Sequence, residues 1–310
     1  MAMTVKNFRP QTFDDYIGQE KAKKMLKIYI KSAEMRGETL DHVLLSAESG
    51  FGKSTFAQII ANEAGKNLKV YSCPAIKTVD DVKDILLSIE DGDMILFDEV
   101  QSLKKKIQEI TFLAMEQFVV DSEIDGVPQR INIPHFTLIA CTTELGGLEI
   151  PMRNRFQIQI QLHSYNDDDM TIIVKNCYKA MNVDIDDNCA SIIARTCRGV
   201  PRLANSYVRR IYDVALVTND GKITEDVITD AFELMDINKY GLSKMDMDYL
   251  TYLARVHKAV GIDTIATALG TDRLSLESTV ESYLIKMGMI VKGARGRSIT
   301  DYGMKIVKEF

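Results

Sequence analysis

Apolar and polar positions alternate along the first half of the chain with two different periods. The short apolar runs "HVLLSA", "LKVYSC", "DMILFDEV" and "FTLIACTTE" read as buried strands. Between them, "KSTFAQIIANEAG" places Phe56, Ile59, Ile60 and Ala64 near helical spacing and stops at Gly65. "VDDVKDILLSI" sets Val79, Val82, Ile85, Leu86 and Ile89 on one side of a second helix, and "QEITFLAMEQF" reads as a third. Strands separated by helices predict an α/β fold, a parallel sheet with helices on both faces. Within it, "VVDSEIDGVPQRINI" makes two alternating runs around Asp125-Gly126 and predicts a hairpin near 119–133.

After about Tyr165 the period becomes helical throughout, in "DDDMTIIVKNCYKAM", "DDNCASIIARTCRG", "PRLANSYVRRIYDVALV" and "TEDVITDAFELM". This predicts a small helical domain over 166–238. From about Lys239 come three more helices, then "GMIVKGARGRSIT", two short strands joined by a basic turn. That order predicts a winged helix over 239–310.

Composition changes this picture little. The chain of 310 residues has 46% hydrophobic and 26% charged residues, ordinary for a soluble globular protein. No stretch approaches the ~18 apolar residues of a membrane span, and the first residues lack a secretory leader. Five scattered cysteines form no Cys-x-x-Cys pair, which points to a reduced cytoplasm and away from a disulfide framework. Charge is more informative. The net is −6, yet from Lys239 onward eleven Lys and Arg face eight Asp and Glu, an excess of +3. The tail is where DNA would bind.

Candidate chemistry begins at "SAESGFGKSTFA". Gly50 and Gly52 allow backbone N–H groups to approach an anion, and a helix N-terminus adds positive potential there. Lys53 would reach β- and γ-phosphates, and the Ser54 hydroxyl would hold Mg²⁺. Ala47 stands where the full pattern has glycine, and Glu48 adds an anion. Farther on, the strand "MILFDEV" ends in Asp98-Glu99. Asp98 suits the Mg²⁺ shell, and Glu99 suits a base that polarises water. Paired acids after a strand also occur as solvated turns; the loop upstream favours the metal-organising reading.

Together, "FRPQTFDDYIGQEKAKKMLKIYI", "LDHVLLSAESGFGKST", "FTLIACTTE", "PMRNRF" and "CRGVPRLAN" resemble the RuvB family of AAA+ ATPases, from Phe8 to about Arg297. The resemblance implies an ATP- and Mg²⁺-dependent ring motor, a hexamer of identical chains, that moves double-stranded or branched DNA to drive Holliday junction migration. It implies an AAA+ large domain over 1–165, an AAA+ lid over 166–238 and a DNA-binding winged helix over 239–310. It places Phe8, Arg9, Tyr16, Ile17 and Tyr165 around the nucleotide, and Gly50, Gly52, Lys53, Ser54 and Thr55 on its phosphates and metal. Thr142 and Thr143 match a sensor of the γ-phosphate, Arg202 a second sensor, and Arg155 an arginine finger offered to a neighbouring subunit. Lys292, Arg295 and Arg297 match wing residues that touch DNA phosphates.

There are departures. Ala47, Glu48 and Ser49 replace a glycine and two prolines of the family loop, and Glu144 replaces an arginine. The hairpin is shorter and more polar, with Ile124 and Val127 as its apolar tip, which leaves little surface for a RuvA-like junction-binding partner. On the residues alone, two other readings stay open. One is a nucleotide-binding DNA adaptor with weak or no turnover, which Ala47 and Glu48 keep alive. The other is a clamp-loader-like ATPase, which shares the fold.

Overall fold

The computed structural model describes residues 9–124 and 126–310. Two compact units emerge, one holding residues up to Asn176 together with Val200–Arg202, the other Cys177–Gly199 and Leu203–Phe310.

The first unit opens with helix α1 (Glu20–Arg36) and strand β1 (Val43–Ser46). Helix α2 (Lys53–Glu63), strand β2 (Leu68–Ser72), helix α3 (Val79–Leu87) and strand β3 (Met94–Asp98) follow. Thr78 starts α3 through a capping box with Asp81, which satisfies donors that the first turn leaves open. Helix α4 (Lys105–Gln117) leads into a hairpin of β4 (Val119–Ile124) and β5 (Val127–Asn132). Ile124 pairs with Val127 across the hairpin end, and Asp121 and Arg130 form an ion pair across it. Strand β6 (Thr137–Thr142), helix α5 (Ile150–Asn154) and strand β7 (Ile158–Gln161) complete this part.

The five strands form one parallel sheet in the order β2-β3-β6-β1-β7. Side chains alternate across it. Leu44, Ile95, Phe97, Leu138 and Ala140 pack with Val82 and Leu86 of α3 and Ile107, Ala114 and Met115 of α4. Helix α2 meets β1, β3 and β6 and buries Phe56, Ile59 and Ile60. Each fully buried side chain of this size contributes about 1.5–3 kcal/mol. Such a core holds the carboxyl ends of β1, β3 and β6 side by side. In open α/β sheets, ligands bind outside those ends.

The lid helices are α6 (Asp167–Ala180), α7 (Asp187–Thr196), α8 (Pro201–Thr218) and α9 (Glu225–Leu234). The winged helix follows with α10 (Lys244–Val256) and α11 (Ile262–Leu269). Its third helix runs as α12 (Arg273–Ser275), a π segment (Leu276–Glu281) and α13 (Ser282–Lys286). Strands β8 (Ile290–Gly293) and β9 (Gly296–Ile299) make the wing, and α14 (Asp301–Lys308) closes the domain. Tyr249, Leu250, Leu253, Ile265, Leu276, Leu284, Met289 and Ile306 form its core. Four elements were not expected from the sequence, helices α1 and α5, edge strand β7 and terminal helix α14. Among the described residues, no helix is long and apolar enough to cross a membrane.

Candidate functional site

The loop between β1 and α2 is shaped by its glycines. Gly50 has φ +87° and Gly52 φ +92°, values that side chains resist. A Cβ at Gly50 would stand 2.8 Å from Val200 Cγ1, and one at Gly52 2.8 Å from the Tyr16 hydroxyl. Ala47 has no such φ; it is buried, and its N–H donates to the Thr142 carbonyl at 3.2 Å. Glu48 is exposed. The ammonium of Lys53 donates to the carbonyls of Ala47 (2.8 Å) and Glu48 (3.0 Å), so it lies in the curl of the loop. Burial pulls its pKa below the ordinary lysine value, while the Asp98 and Glu99 carboxylates work the other way.

Helix α2 begins at Lys53, which puts Ser54 and half-buried Thr55 in its first turn. Ser54 Oγ donates to Asp98 Oδ2 at 2.8 Å, across 44 residues of sequence. The expected metal pair is thus assembled from the start of α2 and the end of β3. Glu99 comes next, exposed and at φ +58°. A left-handed conformation costs a residue with a side chain about 1–2 kcal/mol, and such strain clusters at functional sites.

The neighbouring strand end divides its two threonines. Thr142 is fully buried, and its hydroxyl both donates to the Glu144 carbonyl (2.9 Å) and accepts from the Glu144 N–H (3.0 Å). Thr143 is exposed, with Oγ1 accepting from Gln101 Nε2 at 3.1 Å. Of the two, Thr143 is the accessible one, and Thr142 holds the turn through Glu144. Gln101 escaped the sequence reading, which had no signal for it beyond its place after Asp98-Glu99.

On the other side of the loop, the Tyr165 hydroxyl donates to the Tyr16 hydroxyl at 2.8 Å, and Tyr16 reaches the Phe51 carbonyl at 3.4 Å. Ile17 is half-buried beside them and Arg9 is exposed. Phe8 lies outside the described residues. Arg202 meets the loop twice: its N–H donates to the Gly50 carbonyl (3.3 Å) and its Nη1 to Ser49 Oγ (2.9 Å). Ser49 stood in the sequence only as a departure from the family loop, with no role assigned to it. Its position inside the loop was the available signal.

Arg155 stands apart from this cluster, pairing with Glu116 of α4 at 2.7 Å. Its Nε is buried with no hydrogen-bond partner.

In the wing, Lys292 and Arg295 are exposed. Arg297, expected on DNA phosphates, is instead buried. Its Nε donates to Glu281 Oε1 at 2.7 Å, and its Nη2 to Glu281 Oε2 at 3.1 Å and Glu277 Oε1 at 2.8 Å. A guanidinium held inside by two carboxylates has its donors spent on the fold, so Arg297 is corrected to a structural residue.

Taken together, the loop offers a Gly50–Gly52 cradle, a helix N-terminus, a half-buried cation and a hydroxyl–carboxylate pair. These are the groups that a triphosphate with a hard cation requires. Among the described residues, no cluster of three His, Cys, Asp or Glu offers another metal site.

Comparison with known proteins identifies the family. The Holliday junction DNA helicase RuvB P-loop domain matches residues 8–162, the RuvB AAA lid domain 165–238 and the RuvB C-terminal winged helix domain 239–308. Among solved structures, the Thermotoga maritima RuvB Holliday junction branch migration motor is 35% identical. It has a TM-score of 0.86, over 97% of this chain and 98% of that one. Two single-substitution variants of the same protein are also 35% identical, with TM-scores of 0.88 and 0.87. One aligns over 97% of this chain and 98% of its own, the other over 98% and 99%. Sheet, lid and wing agree with a RuvB protein from end to end, and the chain belongs to the RuvB family of Holliday junction DNA helicases.

Proposed function

We propose that this chain is an ATP-hydrolysing motor that drives Holliday junction branch migration, working as a ring, a hexamer of identical subunits, on double-stranded DNA. The observation that carries the reading is the Ser54–Asp98 hydrogen bond beside a glycine-shaped cradle and the half-buried Lys53 ammonium. Bound Mg²⁺ would neutralise charge developing on the β- and γ-phosphate oxygens. Ser54 and Asp98 would hold that ion, and Lys53 would swing from the Ala47 and Glu48 carbonyls onto the phosphates. Glu99 would accept a proton from the attacking water, with Thr143 orienting it and Gln101 fixing Thr143. Arg202 would report the γ-phosphate through its place on Ser49 and Gly50. Arg155 lies outside this cluster, which supports a role in a neighbouring subunit's site, where it would exchange Glu116 for phosphate oxygens.

Tyr16 and Tyr165 would close the nucleotide side of the loop, with Ile17 and Arg9 beside them. Lys292 and Arg295 would meet DNA phosphates, which position a duplex without reading its sequence. Val127 is exposed at the end of a polar hairpin, so docking on a RuvA-like partner would bury little apolar surface and be weak. The division into 1–165, 166–238 and 239–310 follows the change from α/β to helical to winged-helix architecture. Glu48, which kept an adaptor reading open, is exposed, and the winged helix distinguishes the chain from a clamp loader.

Calorimetry with Mg-ATP tests the site. Wild-type and Glu99→Gln proteins should both bind, and Lys53→Ala should bind at least about tenfold more weakly, the loss of a charge-assisted contact. Turnover by Glu99→Gln should fall at least about 100-fold, in the range of a general base. Equal binding by wild type and Lys53→Ala would refute the assignment.

A further inference from the structure

The core of the winged helix encloses a chain of charges. Tyr249 is fully buried and its hydroxyl donates to Glu281 Oε1 at 2.5 Å. Glu281 holds Arg297, and Arg297 Nη2 reaches outward to Glu277 Oε1. The Glu277 carboxylate is therefore gripped from beneath by a buried guanidinium. It also contacts two exposed cations that come from separate elements. Arg273, at the start of α12, places Nε 3.1 Å from Glu277 Oε2; Lys292, in β8, places Nζ 3.5 Å from Oε1. Arg273 also lies 4.0 Å from Asp263. Lys292 pairs across the wing with Arg297. Two cations that converge on one carboxylate share one face of the domain, and that face carries the wing.

We propose that Glu277 is a built-in mimic of a DNA phosphate, which competes with the duplex for Arg273 and Lys292 and so limits how tightly the wing face grips DNA. The inference rests on the DNA-binding reading above. Exposed ion pairs are weak and screened by salt, so a phosphate can displace them. Glu277 cannot swing clear when that happens, because Arg297 holds it. Its charge then stays beside the incoming phosphate and opposes it. Arg295 at the wing turn makes no ion pair with it and keeps its full attraction for DNA. A protein that moves along DNA must release each phosphate it takes, and an internal competitor at two of its cations makes release easier.

The test is anisotropy of the full chain with a labelled duplex and a labelled four-way junction over a salt series. Glu277→Gln keeps an acceptor for Arg297 and removes the charge. It should tighten binding about three- to tenfold and steepen the salt slope by about one. Lys292→Gln should cost more affinity in the Glu277→Gln background than in wild type, because only there is Lys292 released from its partner. Thermal melts check folding, and Glu277→Met serves as the uncharged second variant if the amide perturbs it. Equal or weaker DNA binding by folded charge-removed variants, with an unchanged slope, overturns the inference and leaves the DNA-binding reading standing. No binding by wild type or variant at low salt overturns both.

Discussion

Ala47 stands where a phosphate loop ordinarily has glycine, yet positive φ within that loop is confined to Gly50 and Gly52. A methyl group costs nothing where the backbone is not left-handed. Ala47→Gly should therefore change ATP affinity by less than about threefold. Gly50→Ala should weaken it by more than about tenfold, since its Cβ would press on Val200 and Arg202 at a left-handed φ. Calorimetry on the two variants separates these outcomes. Lys53, Ser54, Asp98 and Glu99 were legible from spacing, because strand, loop and helix are contiguous and the acids end the next apolar run but one. Thr143, Tyr165 and Arg202 were legible only through resemblance, because folding brings them in from up to 153 residues away. Gln101 was not legible, and Ser49 was visible only as a departure in the loop. Arg297 was misread because composition marks a basic wing but not which of its residues faces the core. Shifting a strand by one residue exchanges the two faces.

At the scale of elements, four strands of the sheet and the hairpin followed from apolar runs and the Asp125-Gly126 turn. Strand β7 did not, since "IQIQ" is four residues with two glutamines; only Ile158 and Ile160 are buried. Helix α14 did not, since its apolar face is short and is completed by the cap at Thr300. One joint in the large unit has a measurable pH signature. His42, just ahead of β1, accepts from the Leu138 N–H at Nδ1 (2.9 Å) and has Nε2 3.2 Å from the Met115 carbonyl. A neutral ring protonated at Nε2 satisfies both. Burial holds its pKa below the ordinary histidine value, against the pull of the Met115 carbonyl. The unfolded chain then binds a proton that the folded one refuses. Stability present above about pH 6.5 is lost as pH falls below it. Urea midpoints should fall between about pH 7.5 and 5.5, and His42→Gln should flatten that part of the pH dependence. An unchanged slope in the variant would remove His42 from the account.

For the whole molecule, the proposed site needs two chains, one supplying Lys53, Asp98 and Glu99 and the next supplying Arg155. Lys53→Ala and Arg155→Ala proteins are each expected to be inactive, because each lacks one half of every site. Mixed in equal amounts, they should regain measurable hydrolysis at those interfaces where an intact Lys53 meets an intact Arg155. No recovery at any ratio would count against Arg155 acting across an interface. The architecture of this assembly, α/β domain, lid and wing, was legible in the period of the apolar residues, and its family in five phrases spread along the chain. How subunits meet was not, because interface residues carry no periodicity of their own. The central claim is that cleavage of ATP at Lys53 is linked to branched DNA. It is tested most directly by steady-state ATP hydrolysis with and without a four-way junction, alongside Lys53→Ala. The account predicts hydrolysis that rises when the junction is added and vanishes in Lys53→Ala. Wild-type hydrolysis no greater than that of Lys53→Ala, with the junction present, would contradict it.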